Sequence, residues 1–374
     1  MKSIRPAAIE AHAYRAPIEM PVTTSFGTMR DRPAVLVRAV DHDGAECWGE
    51  VWCNFPSVGA EHRARLVADV VAPLLLDRRF AGPEDAFAAA SAALDVLAIQ
   101  TGEFGPIAQA IAGVDLAFWD LVARRSGMPL YRCLGGDFVD SVPVYASGLN
   151  PDRPERLAAR RRRQGYGAFK LKVGFGRERD LRNLAALRDA LGDAATLMID
   201  ANQGFDLDDA VAMGRAVAPF RLDWFEEPMR ADAPLGAWRR LAAECPVPLA
   251  GGENLRGAAL DEAIEAGALR VIQPDVGKWG GFSGTLRVAR KAIQAGRRYC
   301  PHWLGGGIGL LASLHLLAAV GGDGLLEVDA NPNPLRDVMV PVPEPRDGRM
   351  PVPQGPGLGM APDLAALERW RTWP

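Results

Sequence analysis

Three acidic residues, Asp200, Glu226 and Glu253, each end a short apolar run in the second half of the chain. They follow one another at intervals of 26 and 27 residues, about the length of one strand–helix–strand unit. Because carboxylates on successive strand ends of a closed parallel barrel meet around one centre, we expect these three to converge. Converging carboxylates repel one another unless a cation lies between them, and hard oxygen ligands suit Mg²⁺. The spacing therefore predicts a magnesium site.

Two lysines, Lys170 and Lys172, lie on the preceding apolar run, Ala168–Val173. Residues two apart on a strand point to the same side, here the interior of the predicted barrel. If each ammonium group lowers the pKa of the other and a metal lowers it further, a neutral lysine can remove a proton near neutral pH. The alternative is one lysine whose charge reaches solvent and one that is paired with a carboxylate. We favour a functional role for both.

A second candidate base lies on later strands. Asp275 and His302 are 27 residues apart, so neighbouring strand ends bring them within hydrogen-bonding reach. A carboxylate behind an imidazole fixes its tautomer and raises its basicity. Asn202 points the same way as Asp200 and offers a neutral hydrogen bond to a ligand. Glu327, at the end of the last strand, is expected to be a protonated acid that hydrogen-bonds a substrate oxygen.

These residues must be positioned by a repeating pattern of strands and helices. Residues 139–331 contain eight strand candidates with a helical stretch between each neighbouring pair, which fits a (β/α)₈-type barrel. Residues 1–138 have strands and then helices, which is typical of an α+β domain. Residues 332–374 are rich in Pro and Gly, and we expect them to return over the surface to the first domain. The strand candidates are Val142–Ala146, Ala168–Val173, Thr196–Asp200, Leu222–Glu226, Pro248–Gly251, Leu269–Gln273, Arg298–Cys300 and Leu325–Val328.

Two segments of the first domain are candidates for loops that determine specificity, residues 23–30 and 51–57. Trp52 and Phe55 are expected to form an apolar wall of the substrate pocket, although packing between the domains explains them equally well. Arg30, or else Arg32, is a candidate partner for a distal carboxylate, which would favour a diacid substrate. Simple surface exposure is the alternative for both arginines.

The composition excludes several other classes of protein. A net charge of −3 gives no reason to expect binding to nucleic acid or to an anionic membrane. In the sequence, no apolar segment reaches membrane-spanning length. The five cysteines have no paired spacing, which favours a reducing compartment, and we expect a cytoplasmic protein.

Taken together and in order, the motifs resemble the enolase superfamily, and more narrowly its mandelate racemase subgroup. The resemblance implies a modified (β/α)₇β barrel of the TIM type, capped by an α+β domain built from the N-terminal part and the C-terminal tail. It also implies a small-molecule carboxylate substrate and a homo-oligomer, a dimer or an octamer. The matching segments are Lys170–Lys172, Asp200–Asn202, Glu226–Pro228, Gly252–Asn254, Asp275–Gly281, Pro301–His302 and Leu326–Glu327.

The same resemblance assigns roles to the residues. It implies Mg²⁺ on Asp200, Glu226 and Glu253, and removal of the proton α to a carboxylate to give an enediolate held on the metal. In that scheme Lys172 is the base on one face of the substrate. The other roles follow in the same way: Lys170 supports Lys172 and binds the substrate carboxylate, His302 with Asp275 is the base or acid on the opposite face, and Glu327 donates a hydrogen bond to the enediolate.

Two reactions can follow from one intermediate. Loss of a β-hydroxyl with His302 as general acid gives a dehydratase, and we favour dehydration of a sugar acid or related 2-hydroxy acid to a 2-keto-3-deoxy acid. Return of a proton to the opposite face of the same carbon gives a racemase or epimerase. A further alternative is the muconate-lactonising branch, in which the base on the sixth strand is a lysine. Lys278 lies in a matching Asp-x-x-Lys-x-Gly-Gly string, but Gly252 and His302 are atypical of that branch.

Functions outside this superfamily also stay open at this point. One is a glycosidase that uses two barrel carboxylates, such as Glu226 and Glu327. It leaves the two lysines unexplained. Another is a phosphate-binding barrel that uses the amides of residues 305–307 before a helix, although we prefer a tight turn there. The last is a barrel that binds carboxylates without catalysis, which an intact set of acids and bases argues against.

Overall fold

The computed structural model describes residues 3–374; Met1 and Lys2, with which the predicted first domain begins, lie outside the described residues. The first domain starts with an antiparallel meander of β1 (Pro6–Thr24), β2 (Gly27–Asp41) and β3 (Glu46–Val51). Successive residues of β2 point to opposite faces of the sheet. Val35 and Val37 pack into the core of the first domain, while Leu36 packs into the core shared with the barrel. Both faces of this sheet are therefore buried.

Helices cover one face of the meander. The longest, α4, has the length and composition of a membrane-crossing helix, contrary to the expectation that no segment does, but 89% of its apolar window is buried inside the protein, as in the core helix of a folded domain. It packs directly on β3, where Gly49 and Gly113 let the two backbones approach closely. The helices are α1 (Gly59–Arg65), α2 (Ala72–Leu75), α3 (Pro83–Thr101), α4 (Phe104–Arg125) and α5 (Leu130–Cys133), with a π-helical segment at Leu66–Val71.

In residues 139–331, eight strands and seven helices alternate, which confirms the modified (β/α)₇β barrel with its α+β capping domain. The strands are β4 (Ser141–Leu149), β5 (Ala168–Lys172), β6 (Thr196–Asp200), β7 (Phe225–Glu226), β8 (Leu249–Gly251), β9 (Val271–Ile272), β10 (Arg298–Tyr299) and β11 (Leu326–Asp329). The helices are α6 (Pro154–Arg163), α7 (Arg177–Leu191), α8 (Leu207–Val217), α9 (Leu235–Glu244), α10 (Ala258–Ala266), α11 (Gly281–Gln294) and α12 (Gly307–Val320).

The barrel strands run in parallel from β10 through β9 to β4, and β11 pairs with β4. Between β10 and β11 a side chain replaces the regular ladder, because the amide of Leu325 donates to Cys300 Sγ at 3.3 Å. The strands on both sides of this seam still end at the same mouth of the barrel.

The tail returns to the capping domain, as predicted. It contains α13 (Pro334–Asp337), β12 (Arg349–Pro351), α14 (Leu364–Leu367) and β13 (Arg371–Trp373). β12 pairs antiparallel with the start of β4, and β13 pairs antiparallel with β1. Pairing with a barrel strand and then with the first strand of the chain connects the two domains through backbone hydrogen bonds.

Replacement of Gly49 by alanine should destabilise the protein by about 1–3 kcal/mol, because the added methyl group would collide with backbone atoms of Gly113 and Ala117 on α4. Urea unfolding of both proteins measures this difference. The matched control is Gly236→Ala on exposed α9, where a Cβ meets nothing within 4 Å and the helix should gain slightly. Equal stability of Gly49→Ala and the wild type would contradict the close packing of β3 on α4.

Candidate active site

The register of three parallel strands aligns the predicted catalytic residues. Lys172 pairs with Asp200 across β5 and β6, and Asp200 pairs with Glu226 across β6 and β7. Neighbouring strands lie about 4.8 Å apart, so Asp200 has a lysine on one side and a carboxylate on the other. Lys170 is two residues before Lys172, and its side chain lies on the same side of the sheet. All four side chains are buried.

Lys172 is held by two oxygen atoms. Its Nζ donates to Asp200 Oδ2 at 2.5 Å and to Asn202 Oδ1 at 2.7 Å. Burial is the largest influence on the pKa of Lys172 and lowers it, and repulsion from Lys170 lowers it further. The charge of Asp200, the charge of Glu226 and the hydrogen bond to Asp200 together outweigh both effects, so the pKa is raised. As expected, Lys170 lowers the pKa of Lys172, but the net shift is upward because Asp200 and Glu226 together act in the opposite direction.

Lys170 lies deeper in the barrel. Its Nζ contacts both carboxylate oxygens of Glu226, at 2.6 and 2.7 Å, and Glu327 Oε1 at 2.8 Å. Burial lowers its pKa, yet Glu226 and Glu327 raise it well above the usual value. Lys170 is therefore a fixed positive charge rather than a base.

Glu253 follows Gly252, which has a φ of +136°, a backbone conformation that favours glycine. Its Oε2 lies 2.9 Å from Lys278 Nζ and 3.5 Å from His302 Nε2. Burial raises the pKa of Glu253, but the charges of His302 and Lys278 outweigh burial and lower it. Glu253 is therefore ionised.

The predicted metal ligands are each paired with a lysine. Among residues 3–374, no three His, Cys, Asp or Glu side chains are grouped closely enough to hold a metal ion. Asp200, Glu226 and Glu253 instead accept hydrogen bonds from Lys172, Lys170 and Lys278, respectively. As a donor set they nevertheless fit Mg²⁺, because they supply hard carboxylate oxygens from three consecutive strands at one barrel mouth.

His302 and Asp275 form the predicted pair. His302 Nδ1 lies 2.6 Å from Asp275 Oδ2, and the two residues form an isolated parallel bridge. Burial lowers the pKa of His302, but Glu253, Glu327 and Asp275 together raise it to about 10. The imidazole is therefore protonated at neutral pH and can act as a general acid.

Glu327 differs from expectation. Its carboxylate contacts Lys170 Nζ at 2.8 Å and accepts the amide of Trp303 at 2.9 Å and the hydroxyl of Ser147. Burial raises its pKa, but Lys170 and His302 lower it to about 2. Two adjacent cations and three hydrogen-bond donors thus favour the anion over the protonated acid expected from the sequence, and a hydrogen bond from Glu327 to the substrate stays a prediction.

The capping domain closes a cavity of about 290 Å³ over this mouth. Trp52 and Phe55 line it, as expected, but Arg30 is exposed and lies outside the lining. Arg32 is buried in an ion pair with Asp329, which accounts for its charge. Residues 23–30 form the tip of the β1–β2 hairpin rather than an irregular loop. The lining residues are Thr24, Phe26, Trp52, Asn54, Phe55, Lys172, Asn202, Gln203, Glu253, Asn254, Lys278, His302 and Leu304.

Sequence reasoning missed several of these lining residues. Asn54 lies inside one predicted specificity loop, and Gln203 and Asn254 each directly follow a predicted site residue. Their positions in the sequence could therefore have identified them as lining residues. Lys278 is the candidate base in the muconate-lactonising alternative, and in the structure its Nζ donates to Glu253 and Asn254.

The glycine-rich segment 305–307 does not present a free anion site. The amides of Gly306 and Gly309, at the start of α12, donate to the two carboxylate oxygens of Glu50 at 2.6 and 2.8 Å. A carboxylate from the capping domain thus already fills the helix N-terminus. This finding argues against the phosphate-binding alternative.

Two family models match the chain. "Enolase C-terminal domain-like" matches residues 153–366, and "Mandelate racemase / muconate lactonizing enzyme, N-terminal domain" matches residues 8–135. A D-galactarolactone cycloisomerase from Agrobacterium fabrum is 33% identical over 97% of this chain and 98% of that protein. An L-talarate/galactarate dehydratase from Salmonella typhimurium is 37% identical over 73% of this chain and 67% of that protein.

Solved structures that are similar to this chain come from the same group of proteins. A protein described as mandelate racemase/muconate lactonizing enzyme from Bordetella bronchiseptica RB50 is 56% identical, with a TM-score of 0.93 over 98% of this chain and 99% of that one. A racemase from Streptomyces coelicolor A3(2) with bound magnesium is 30% identical, with a TM-score of 0.89 over 98% of this chain and 100% of that one.

Glu50→Gln should remove a pH dependence of stability. Burial raises the pKa of Glu50 to about 7, although the amides of Gly309 and Gly306 oppose this. Because the folded-state pKa lies above the unfolded value, the stabilisation from the protonated group is complete below about pH 4.5 and is lost as pH rises through about 7. Relative to Glu50→Gln, the wild type should lose up to about 3 kcal/mol of unfolding free energy between pH 5 and pH 8.

Urea unfolding at both pH values measures this change. Glu178→Gln, on an exposed position of α7, is the matched control and should follow the wild type at each pH. A stability difference between Glu50→Gln and the wild type that is the same at both pH values would contradict the assignment.

Proposed function

The chain belongs to the mandelate racemase and muconate lactonizing enzyme family of the enolase superfamily, and from this premise we propose that it removes the proton α to the carboxylate of a small hydroxy acid with the help of Mg²⁺. One observation carries the proposal: Lys172 and His302 both line a single cavity that also contains Glu253. They come from the second and seventh barrel strands, so they face a bound molecule from different sides.

Asp200, Glu226 and Glu253 are the residues that would hold Mg²⁺. When bound there, Mg²⁺ supplies positive charge that stabilises the negative charge developing on the substrate carboxylate, and the same charge lowers the pKa of Lys172. The racemase neighbour with bound magnesium supports this choice of metal.

In this scheme the chain's own residues move the protons. Neutral Lys172 removes the α-proton on one face of the substrate, and Asn202 holds its amine through a hydrogen bond of 2.7 Å. Lys170 keeps its proton and balances the charges of Glu226 and Glu327 beneath the site. His302, oriented by Asp275, begins as an imidazolium that donates a proton on the other face.

We propose dehydration of a sugar acid, or of a related 2-hydroxy acid, to a 2-keto-3-deoxy acid as the overall reaction. A protonated His302 suits it, because the departing β-hydroxyl needs a proton. The named relatives include an L-talarate/galactarate dehydratase, which supports a sugar acid. Racemisation is the second candidate, since the same imidazolium can return a proton to the α-carbon and one neighbour is a racemase.

Alternatives from outside the superfamily lose support. For a glycosidase, Glu226 and Glu327 would have to flank a sugar, but Lys170 Nζ lies between them within 2.8 Å of both. A binding barrel without catalysis would not need a general acid paired with a carboxylate. A cytoplasmic location and a homo-oligomeric assembly, either a dimer or an octamer, stay predictions.

The test is a panel of sugar acids and small 2-hydroxy acids incubated with protein and Mg²⁺ in D₂O and followed by NMR. Keto acid formation from one acid would establish dehydration, whereas α-deuterium incorporation without keto acid would establish racemisation or epimerisation. Activity should disappear with EDTA and return with Mg²⁺. Absence of both exchange and product across the panel would count against the proposal.

Lys172→Ala and His302→Asn should each lower turnover by roughly 10²–10⁴-fold, because each removes one of two groups that transfer protons. Circular dichroism and Mg²⁺ titration should show that folding and metal affinity are largely kept. α-Proton exchange should survive in one variant and be lost in the other, because the two groups act on different faces. Full activity of His302→Asn would contradict the assignment of two proton-transfer groups and would favour proton transfer by lysine alone.

A further inference from the structure

Among the described residues, the carboxylate of Glu226 accepts more hydrogen bonds than those of the other two acids that would hold Mg²⁺. Lys170 Nζ donates to Oε1 at 2.6 Å and to Oε2 at 2.7 Å. Gln273 Nε2 donates to Oε2 at 2.5 Å, and Trp224 Nε1 donates to the same oxygen at 3.2 Å. Gln273 and Trp224 are uncharged, and neither takes part in the proposed proton transfers. Two buried polar side chains that converge on one metal ligand need an explanation.

Both donors are held by the barrel itself. Trp224 is two residues before Glu226, so the two side chains point to the same side of the chain. Its indole is fully buried and makes a T-shaped contact with Tyr145, with 5.3 Å between the ring centres. Gln273 directly follows β9, its side chain is buried, and its backbone amide donates to the carbonyl of Gly251 at 2.8 Å. The two donors are therefore fixed in position.

The carbonyl end of the Gln273 amide has no partner. Its Oε1 is buried and accepts no hydrogen bond within the described chain. The opposite orientation of the amide would place this oxygen against the carboxylate of Glu226, so the donating orientation is the favourable one. Leaving a buried carbonyl oxygen without a donor costs free energy, and an apolar side chain of similar length would avoid that cost. A role in packing alone therefore does not explain a glutamine at this position.

The hydrogen bonds are distributed unequally over the two oxygens of Glu226. Oε2 accepts from Lys170, Gln273 and Trp224, whereas Oε1 accepts from Lys170 alone among the described residues. A carboxylate offers about four lone-pair sites, or about two for each oxygen. Oε2 is therefore saturated, while Oε1 can accept one more partner. Because Gln273 and Trp224 carry no charge, they fix the carboxylate without opposing the approach of a cation.

We propose that Gln273 and Trp224 are positioning residues for Glu226, which hold Oε2 so that Oε1 stays available to Mg²⁺. This inference rests on the proposed function, which requires Mg²⁺ at Asp200, Glu226 and Glu253. Removal of a hydrogen-bond partner behind a metal ligand commonly changes metal affinity by roughly 10–100-fold. The bond from Gln273 is the shorter of the two, so it contributes more to metal affinity than the bond from Trp224.

The test is calorimetric titration of Mg²⁺ into full-length protein freed of metal by EDTA and dialysis, together with urea unfolding of the same metal-free protein. Gln273→Met keeps the length of the side chain and removes the donor, so Mg²⁺ should bind roughly tenfold more weakly. The free energy of unfolding without metal should be unchanged or higher, because the unpaired Oε1 is removed together with the donor. Trp224→Phe keeps an aromatic ring without the N–H and should weaken Mg²⁺ binding by a smaller factor.

Gln109→Met is the matched control, because Gln109 is a buried glutamine of the capping domain that accepts a hydrogen bond from Arg63 at 2.9 Å. It should lose stability and keep the Mg²⁺ affinity of the wild type. Unchanged Mg²⁺ affinity in Gln273→Met would overturn the inference. So would weaker binding with a matching loss of stability in the metal-free protein, since Gln273 would then act only through the fold, and so would a wild type that binds no Mg²⁺. Failure of the proposed function is separate, since it would show as wild-type protein that binds Mg²⁺ and exchanges no α-proton in any acid.

Discussion

The balance of charge at the barrel mouth is the constraint on which the rest of this structure depends. Within the described chain, six buried carboxyl groups meet four buried cations there. Charges removed from water are tolerated only when paired and hydrogen-bonded, and the surplus of carboxyl groups suits a divalent cation. The acids are Asp200, Glu226, Glu227, Glu253, Asp275 and Glu327, and the cations are Lys170, Lys172, Lys278 and His302. Catalysis would use this balance, because moving one proton changes the charge that the neighbouring groups experience.

The fold keeps these groups in place by connecting the capping domain to the base of the site. Glu50, from β3, holds the first amides of α12. The loop before that helix is closed by a hydrogen bond of 2.9 Å from Trp303 Nε1 to the carbonyl of Gly306, and the backbone amide of Trp303 holds Glu327. A chain of hydrogen bonds thus runs from the capping sheet to a buried acid beside Lys170 and His302. The strand that carries Glu50 ends one residue before Trp52, so the same strand also positions Trp52 in the cavity wall.

The sequence was informative where local pattern decides the structure. The spacing of the acids predicted the strand ends, and the alternation of Lys170 and Lys172 predicted their common side. The ends of the barrel strands were predicted less accurately than their order, because several of these strands have only two residues in regular pairing. The 19-residue β1 was not predicted, since its prolines and charged residues obscure the strand pattern. Protonation states also escaped prediction: that of Glu327 depends on which cation lies nearest in space, and sequence spacing does not contain that distance.

The same electrostatics bear on the choice between dehydration and racemisation. A racemase that works in both directions needs His302 to be the acid in one direction and the base in the other. Glu253, Glu327 and Asp275 all stabilise the protonated imidazole, so its neutral form is disfavoured. Lys172 faces the opposite requirement, since it must lose a proton that Asp200 stabilises before it can act. Mg²⁺ bound at Asp200 and Glu253 would lower the pKa of both proton-transfer groups, and the remaining stabilisation of the imidazolium by Glu327 and Asp275 suits an acid that protonates a departing hydroxyl group.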